Sequence, residues 1–499
     1  MSTHSEQPSA DHTSLRSLLH GSALVFVGRV IHRLLRFGVG VAMSRVLGAE
    51  RFGVFSLALT VETMGEKVAE SCLSWSVLKY VAHYDALGQK EELKGTVYGA
   101  TLLNGAIALV MAIAVALLAP TIAQSAYGIP ELAPPIRILA IALPFAVVQY
   151  IIVSALRGVQ RIVEMLAVGS ILAPGALLAG IVAVGLLRPT FEAMAWVHAG
   201  AAALGCVVGW HFIRRTILAR TADVRSRIPW AGLLSFGLPM LLYSIFSFGG
   251  GGVDILVLGK LLTKAELGIY SAAWRGANML VFPLAVVQTV FSPTISALHA
   301  KGDIPGLRRT FIGSTAMATY LAMWVFGAII CWPHVFMGLF GDEFVKGSDA
   351  LVLVCAGQLA NSATGSVGSI LTMTGRPWIM SLDHIAFAIA MMGLFVAWVP
   401  RYRLTAASAI VAAALAGVNL WRVVRVWRLY RILPYNVTTI ALWPAFLIGL
   451  GLAYLLLRVV AAPWGAFAAF GLFALPMFAI GARLARIVRP MLARERKSA

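Results

Sequence analysis

The sequence predicts an all-α polytopic membrane protein of about fourteen transmembrane helices, arranged as two six-helix lobes related by a pseudo-two-fold axis plus two C-terminal helices. Three observations predict it. Apolar residue types make up 60% of the 499 residues and charged types only 12%, with a mean hydropathy of +0.85, far from a soluble domain. About fourteen apolar stretches then approach or exceed the ~20 residues that an α-helix needs to cross a bilayer. Finally, the chain repeats itself. Arg45-Val-Leu followed by Gly53-Val-Phe55-Ser56-Leu-Ala58 recurs as Lys260-Leu-Leu followed by Gly268-Ile-Tyr270-Ser271-Ala-Ala273, every position shifted by the same interval of 268 − 53 = 215 residues. Both copies fall at the turn between the first two helices of a bundle, and two like-oriented repeats imply a two-fold axis along the membrane normal with a path between them.

Taken in order, residues 1–21 are an N-terminal cytoplasmic tail, polar over 1–14 with an interfacial lead-in over 15–21, and they lack the short apolar core of a cleavable signal. The N-lobe occupies 22–213, with spans near 22–44, 53–77, 96–119, 133–156, 166–187 and 192–213. Residues 214–229 (RRTILARTADVRSRIP) are the most basic internal stretch and read as a cytoplasmic linker. The C-lobe occupies 230–424, with spans near 232–261, 265–290, 309–332, 350–374, 377–399 and 404–421. Residues 425–499 hold spans near 437–458 and 464–482 and a basic tail. Gly249–Gly252, four glycines in a row, loosen the seventh span and allow either bending or close packing there.

The net charge of +19 is spread over short loops rather than gathered on a polar domain, which argues for topology and contact with anionic lipid and against nucleic acid. With an even number of crossings, Lys and Arg on the side of the N-terminus outnumber those opposite by roughly three to one, placing both termini in the cytoplasm. Cys72, Cys206, Cys331 and Cys355 are too scattered for a metal pattern or a disulfide framework. Catalysis finds no support: the chain has no Walker-type phosphate loop, no HExxH and no large polar loop. No cofactor is expected beyond a coupling Na+ or H+.

The chemistry concentrates in the first hairpin. Arg29, His32, Arg33 and Arg36 lie inside an apolar span, where a cation costs ~2.5 to 3.5 kcal/mol at the helix centre unless it faces a bundle interior or a wet cavity. At ~100° per residue the three arginines form one stripe about 60° wide. The next span carries Glu62, Glu66 and Glu70 at four-residue spacing, with Lys67 on a different side. An antiparallel hairpin sets Arg36 level with Glu62, Arg33 and His32 with Glu66, and Arg29 with Glu70. Two readings stay open: a structural ladder of ion pairs, or a cavity in which arginines receive an anionic group and a carboxylate serves as a cation or proton site.

The C-lobe offers Asp254 and Arg275 at similar height, either as an ion pair or, for Arg275 with Asn278, as a second phosphate or sugar contact. Arg137 with Gln149 and Tyr150, and Gln358 with Asn361, suit interhelical hydrogen bonds or sugar hydroxyls. Asp383-His384 is either a proton or cation site or an interfacial pair. Arg422, Arg425, Arg428 and Arg431, and Arg483, Arg486 and Arg489, read as lipid anchors.

The stretch MSRVLGAERFGVFSLALT, with KYVAHYDALGQKEEL after it, and in the second bundle VDILVLGKLLTKAELGIYSAAWR followed by FSPTISALHAKGD, resemble the Wzx-type polysaccharide flippases. These belong to the multidrug/oligosaccharidyl-lipid/polysaccharide exporter superfamily, and the likeness extends along the whole chain. The resemblance implies a MATE-like fold. It also implies translocation of a polyprenyl-pyrophosphate-linked oligosaccharide from the cytoplasmic to the periplasmic leaflet of a bacterial inner membrane, alongside polymerases and glycosyltransferases. Arg29, Arg33, Arg36 and Arg275 would then contact the head group. Glu62, Glu66, Glu70 and Asp254 would serve ion coupling or ion pairing. A lipid II flippase, a cation-coupled multidrug exporter and a non-transporting scaffold remain as alternatives.

Overall fold

The computed structural model describes residues 11–71, 73–187, 190–235, 237, 252–374, 376–459 and 465–481, and among these there is no β-strand. The outermost tails with Arg483, Arg486 and Arg489, together with Cys72, Gly249–Gly251 and the middle of the seventh expected span, lie outside the described residues.

The N-lobe comprises α1 (Asp11–Ser71), α2 (Ser74–Ala86), α3 (Lys90–Thr121), α4 (Ala133–Gly158), α5 (Ile162–Leu187) and α6 (Phe191–Ile213). α1 is two helices joined at Gly48, whose φ of 70° breaks the run; a left-handed backbone is open to glycine at little cost. The first expected span is its first arm, and the second expected span is its second arm running on into α2.

The C-lobe continues with α7 (Val253–Leu261), α8 (Lys264–Ala277), α9 (Val281–Ala300), α10 (Ile304–Cys331), α11 (Ser348–Ala363), α12 (Val367–Met373) and α13 (Pro377–Tyr430). α8 opens on a capping box in which Thr263 and Glu266 satisfy each other's backbone amides. α13 holds two expected spans, divided at Arg403, a non-glycine residue with φ 51°. That strained backbone is held by its own side chain, which donates to the Leu261 carbonyl at 3.0 Å and to Glu266. α14 (Val437–Val459) and α15 (Gly465–Gly481) complete the described chain. α15 seats Phe473 against Gly327 of α10, whose Trp324 meets Phe470, Phe473 and Phe478 edge-on.

By length and apolarity alone, seven described helices qualify as membrane spans, with a bent pair, Asp342–Ala363 and Val367–Met373, as an eighth. α13 counts once there although it reverses at Arg403, and α1 carries the charged stripes that such a test rejects. The chain is a polytopic all-α membrane protein.

The lobes meet backbone to backbone at the end that carries Gly48. A Cβ at Gly53 would lie 2.0 Å from the carbonyl oxygen of Lys264, and a Cβ at Gly268 would lie 2.0 Å from that of Ala49. Gly53 and Gly268 are equivalent positions of the repeat, as are Ala49 and Lys264, so the two-fold axis runs through this crossing.

Polar contacts surround it. Ser44 donates to the Phe340 carbonyl at 3.0 Å, Arg45 to that of Leu339 at 2.7 Å, and the Ala49 amide to Glu343 at 2.9 Å. Lys264 bonds Glu131 and lies 3.8 Å from Glu50 across the lobes. At the other end the linker packs along the N-lobe, the Arg227 amide donating to the Glu91 carbonyl at 3.1 Å.

Gly53→Val should destabilise this closed end by about 1–3 kcal/mol through overpacking. Spin labels at Arg51 and Asp342 should then show a longer mean separation than in the wild-type frame, whereas the same substitution at Gly200, where a Cβ meets nothing within 4 Å, should leave that separation unchanged.

Candidate functional site

Behind the closed end lies a cavity of about 510 Å³, lined by both arms of α1 and by α4, α5, α6, α7 and α8. Its charged groups are Arg36, Lys67, Glu62 and Glu66 from the N-lobe and Arg275 from the C-lobe, with His32 and His198 beside them. The remaining wall includes Val39, Met43, Leu59, Leu177 and Ile255. A low-dielectric wall of that kind strengthens any charge pairing made inside it.

The first-hairpin stripes do reach one space, but not as a ladder. Among the described residues, neither Arg33 nor Arg36 forms an ion pair with Glu62, Glu66 or Glu70, although Arg36, Glu62 and Glu66 all line the cavity. Arg33 reaches across to the other lobe and donates to the Asn278 carbonyl at 3.3 Å. Arg29 and Glu70 are not in the cavity wall. Glu62, 2% exposed, faces His198 Nε2 at 3.8 Å. Glu66 lies within electrostatic reach of Glu62, Arg36 and the Tyr150 hydroxyl.

Arg275 is placed by its neighbours. Its guanidinium lies over the Phe52 ring at 5.3 Å, a cation–π arrangement. Gly40 opposite leaves room for its stem, since a Cβ there would come within 3.1 Å of Arg275 Cδ. Arg275 forms no ion pair with Asp254, which sets aside the first of the two readings for that pair. The Asp254 carboxylate instead accepts from the Tyr270 hydroxyl at 2.5 Å and from the Gly252 amide at 3.1 Å. A buried carboxylate needs such donors, and the turn of chain before α7 supplies one that the sequence could not reveal.

Two further corrections concern charges. Lys67, set on a different side by helical spacing, lines the cavity, which reaches around the second arm of α1. Arg422 and Arg425 are not free lipid anchors: Asp383, 2% exposed, takes Arg425 at 2.8 Å, Arg422 at 4.0 Å and the Trp421 indole N–H at 3.1 Å. Sequence reasoning missed His198, whose one signal was a lone imidazole inside an apolar span. Gln149 and Tyr150 line the cavity, whereas Arg137 does not.

A second cavity, of about 340 Å³, lies in the C-lobe and shares Trp274 with the first. Gln358, Asn361, Asn278 and His384 line it. Among the described residues no three His, Cys, Asp or Glu side chains are grouped to hold a metal ion. At the closed end, in the turn outside the spans, the hydrogen bond to Glu131 lifts the Lys264 ammonium above the usual lysine range.

The family model described as "Polysaccharide biosynthesis protein" matches residues 18–299. A curated relative, "Probable low-salt glycan biosynthesis flippase Agl15" of Haloferax volcanii, is 28% identical over 141 residues. That alignment covers 27% of this chain and 30% of the relative, so it spans under a third of the relative's length. Among solved structures, "Lipid II flippase MurJ, inward closed conformation" superposes with a TM-score of 0.72 at 12% identity, over 93% of this chain and 99% of that one. An inward-facing multidrug resistance MATE family transporter of the MOP superfamily superposes with a TM-score of 0.67 at 14% identity, over 80% and 96%. The fold is therefore MATE-like.

Tyr270→Phe removes one of the two donors to the Asp254 carboxylate. Leaving a buried charge under-satisfied costs about 1–3 kcal/mol, so the purified variant should unfold at a lower temperature in a detergent-solubilised melt, and Asp254→Asn should recover part of that loss when combined with it.

Proposed function

The chain belongs to the polysaccharide biosynthesis protein family, and from that premise we propose that it is a flippase, not an enzyme. It carries a polyprenyl-pyrophosphate-linked oligosaccharide from the cytoplasmic to the periplasmic leaflet of a bacterial inner membrane, for the synthesis of a surface polysaccharide. The observation that carries this reading is that Arg36 and Arg275, one from each lobe, line a single cavity between the lobes. Guanidinium groups match phosphate oxygens in geometry as well as charge. A pyrophosphate taken up between them would tie the lobes together from the inside.

With both termini in the cytoplasm, the Gly53–Gly268 crossing lies at the periplasmic end. The frame is then closed to the outside, and loading proceeds from the cytoplasm past Arg29 and Arg33. Rocking of the lobes opens the crossing and releases the head group outward while the polyprenyl tail stays in lipid. Each negative charge moved to the positive side gains ~2.3 kcal/mol per 100 mV. Glu62 and Glu66 stand in the same cavity as candidate proton or sodium sites that reset it, and glycosyltransferases and a polymerase are the expected partners on either side of the step.

A drug exporter of this fold would favour carboxylates without cations beside them, and here Arg36, Lys67 and Arg275 share the space with Glu62 and Glu66. The relative from Haloferax volcanii is described as a glycan biosynthesis flippase, which favours a glycan over both a drug and a peptide-bearing lipid II.

Depletion of the protein should leave lipid-linked oligosaccharide on the cytoplasmic face alone, read with an impermeant sugar-modifying enzyme on intact cells and on opened vesicles. Arg36→Ala and Arg275→Ala should each lower the rescue by about tenfold or more, the loss expected of a charged hydrogen bond. An unchanged distribution after depletion would refute the function.

A further inference from the structure

The C-lobe cavity has no role in head-group binding as described so far, yet its wall is unusual for a membrane-embedded space. Among apolar side chains it carries four carboxamides, Asn278, Gln358, Asn361 and Asn419, with Asp254, His384 and Arg422. Asn278 donates its amide to the Trp274 carbonyl at 3.0 Å, Asn419 to the Leu415 carbonyl at 2.8 Å, and Asn361 to Gln358 Oε1 at 3.3 Å. Each of these bonds uses one end of a carboxamide on the protein itself. The Gln358 amide N–H groups and the side-chain oxygens of Asn278, Asn361 and Asn419 have no hydrogen-bonding partner among the described residues, although Gln358 is only 3% exposed and all four line the cavity.

None of these atoms is sealed off by the protein, so one donor group and three acceptors stand open around one space. The two charged residues in the wall, Asp254 and Arg422, already have protein partners, Arg422 donating to the Met380 carbonyl at 3.4 Å and facing Asp383. Asp254 is held by Tyr270 and Gly252, and Asp383 by Arg425, Arg422 and Trp421. What remains is a mixed set of neutral donors and acceptors, which suits neither a bare cation nor an anion. It suits a ligand carrying many hydroxyls, each both donor and acceptor.

Trp274 adds the other half of a sugar site. Its side chain lines both cavities, and it makes no ring–ring contact with another aromatic residue among the described residues. An indole face offers an apolar surface to the C–H face of a pyranose. Arg275, the next residue, faces the head-group cavity, and Arg33 of the other lobe meets the backbone of Asn278. The cationic and the amide-lined spaces are thus adjacent along one helix, α8.

We propose that the C-lobe cavity bounded by Trp274, Gln358 and Asn361 is a glycan subsite, which takes the sugar next to the pyrophosphate while Arg36 and Arg275 hold the phosphates. This rests on the flippase reading above and extends it. It makes the protein read a sugar as well as a charge, so a polyprenyl pyrophosphate without glycan would bind but bind less tightly.

Two probes separate the two claims. Farnesyl pyrophosphate reports the phosphate site, and farnesyl pyrophosphate bearing a single hexose on its terminal phosphate reports both sites. Affinities are measured on the full-length protein in lipid nanodiscs. The wild type should bind the glycosylated probe about tenfold tighter or more, the gain expected of two or more hydrogen bonds.

Gln358→Leu and Asn361→Ala, each tested alone, should remove most of that gain and leave farnesyl pyrophosphate binding unchanged. That unchanged binding is also the check that each variant is folded. Arg36→Ala should weaken both probes equally. A preference for the glycosylated probe that survives both carboxamide variants, or a wild type that binds the two probes alike, would overturn the glycan subsite and leave the flippase standing. A wild type that binds neither would overturn both.

Discussion

Two helix backbones touch where Gly53 meets Lys264 and Gly268 meets Ala49, and the rest of the molecule is arranged around that crossing. At 2.0 Å from a would-be Cβ to a carbonyl oxygen, no other residue type fits without moving one lobe. Because the same contact is made twice about a two-fold axis, it holds two lobes of similar build by their ends. The polar contacts nearby, Arg45 to the Leu339 carbonyl and Glu343 to the Ala49 amide, fix the angle. Behind the crossing the lobes touch again through Arg33 and the Asn278 carbonyl and through Phe26 and Phe282, and between these contacts they enclose a cavity.

The charges follow from that geometry. Arg36 and Arg275 are affordable in an apolar bundle only because they face this space rather than lipid. Glu62 and Glu66 line the same cavity and keep it from being a uniformly positive well. In the C-lobe the logic is reversed: Asp254 and Asp383 are satisfied locally by Tyr270, Gly252, Arg422 and Arg425. The space beside them presents four amides next to charges already paired within the protein, and it adjoins the chamber of Arg36 and Arg275.

Much of this was legible in the chain. Hydropathy gave the class, and the interval of 215 residues marked Gly53 and Gly268 as equivalent before anything showed that they meet. Of the two stripes, Arg36, Glu62 and Glu66 line one shared space, whereas Arg29, Arg33 and Glu70 do not. Which partner each charge would take was not legible. Helical spacing says which way a side chain leaves its own helix, but not how far the neighbouring helix stands off. Hence, of the two open readings, Arg36, Glu62 and Glu66 follow the cavity rather than the ladder, Arg33 crossed to Asn278, and Asp254 met Tyr270 rather than Arg275. His198 carried no pattern at all, and Arg422 and Arg425 looked like surface anchors because their partner, Asp383, lies about forty residues earlier across a helix reversal at Arg403.

The central claim is that substrate leaves through the end now closed by the Gly53–Gly268 crossing. It is tested most directly by locking that end. In a background without the native cysteines, Glu50→Cys and Lys264→Cys would be joined across the lobes by a short, reducible cross-linker. Transfer of a fluorescent polyprenyl-pyrophosphate sugar would then be followed across proteoliposome membranes. Transfer should stop when the link forms and return when it is reduced. Transfer that continues at the unlinked rate with the link in place would contradict it.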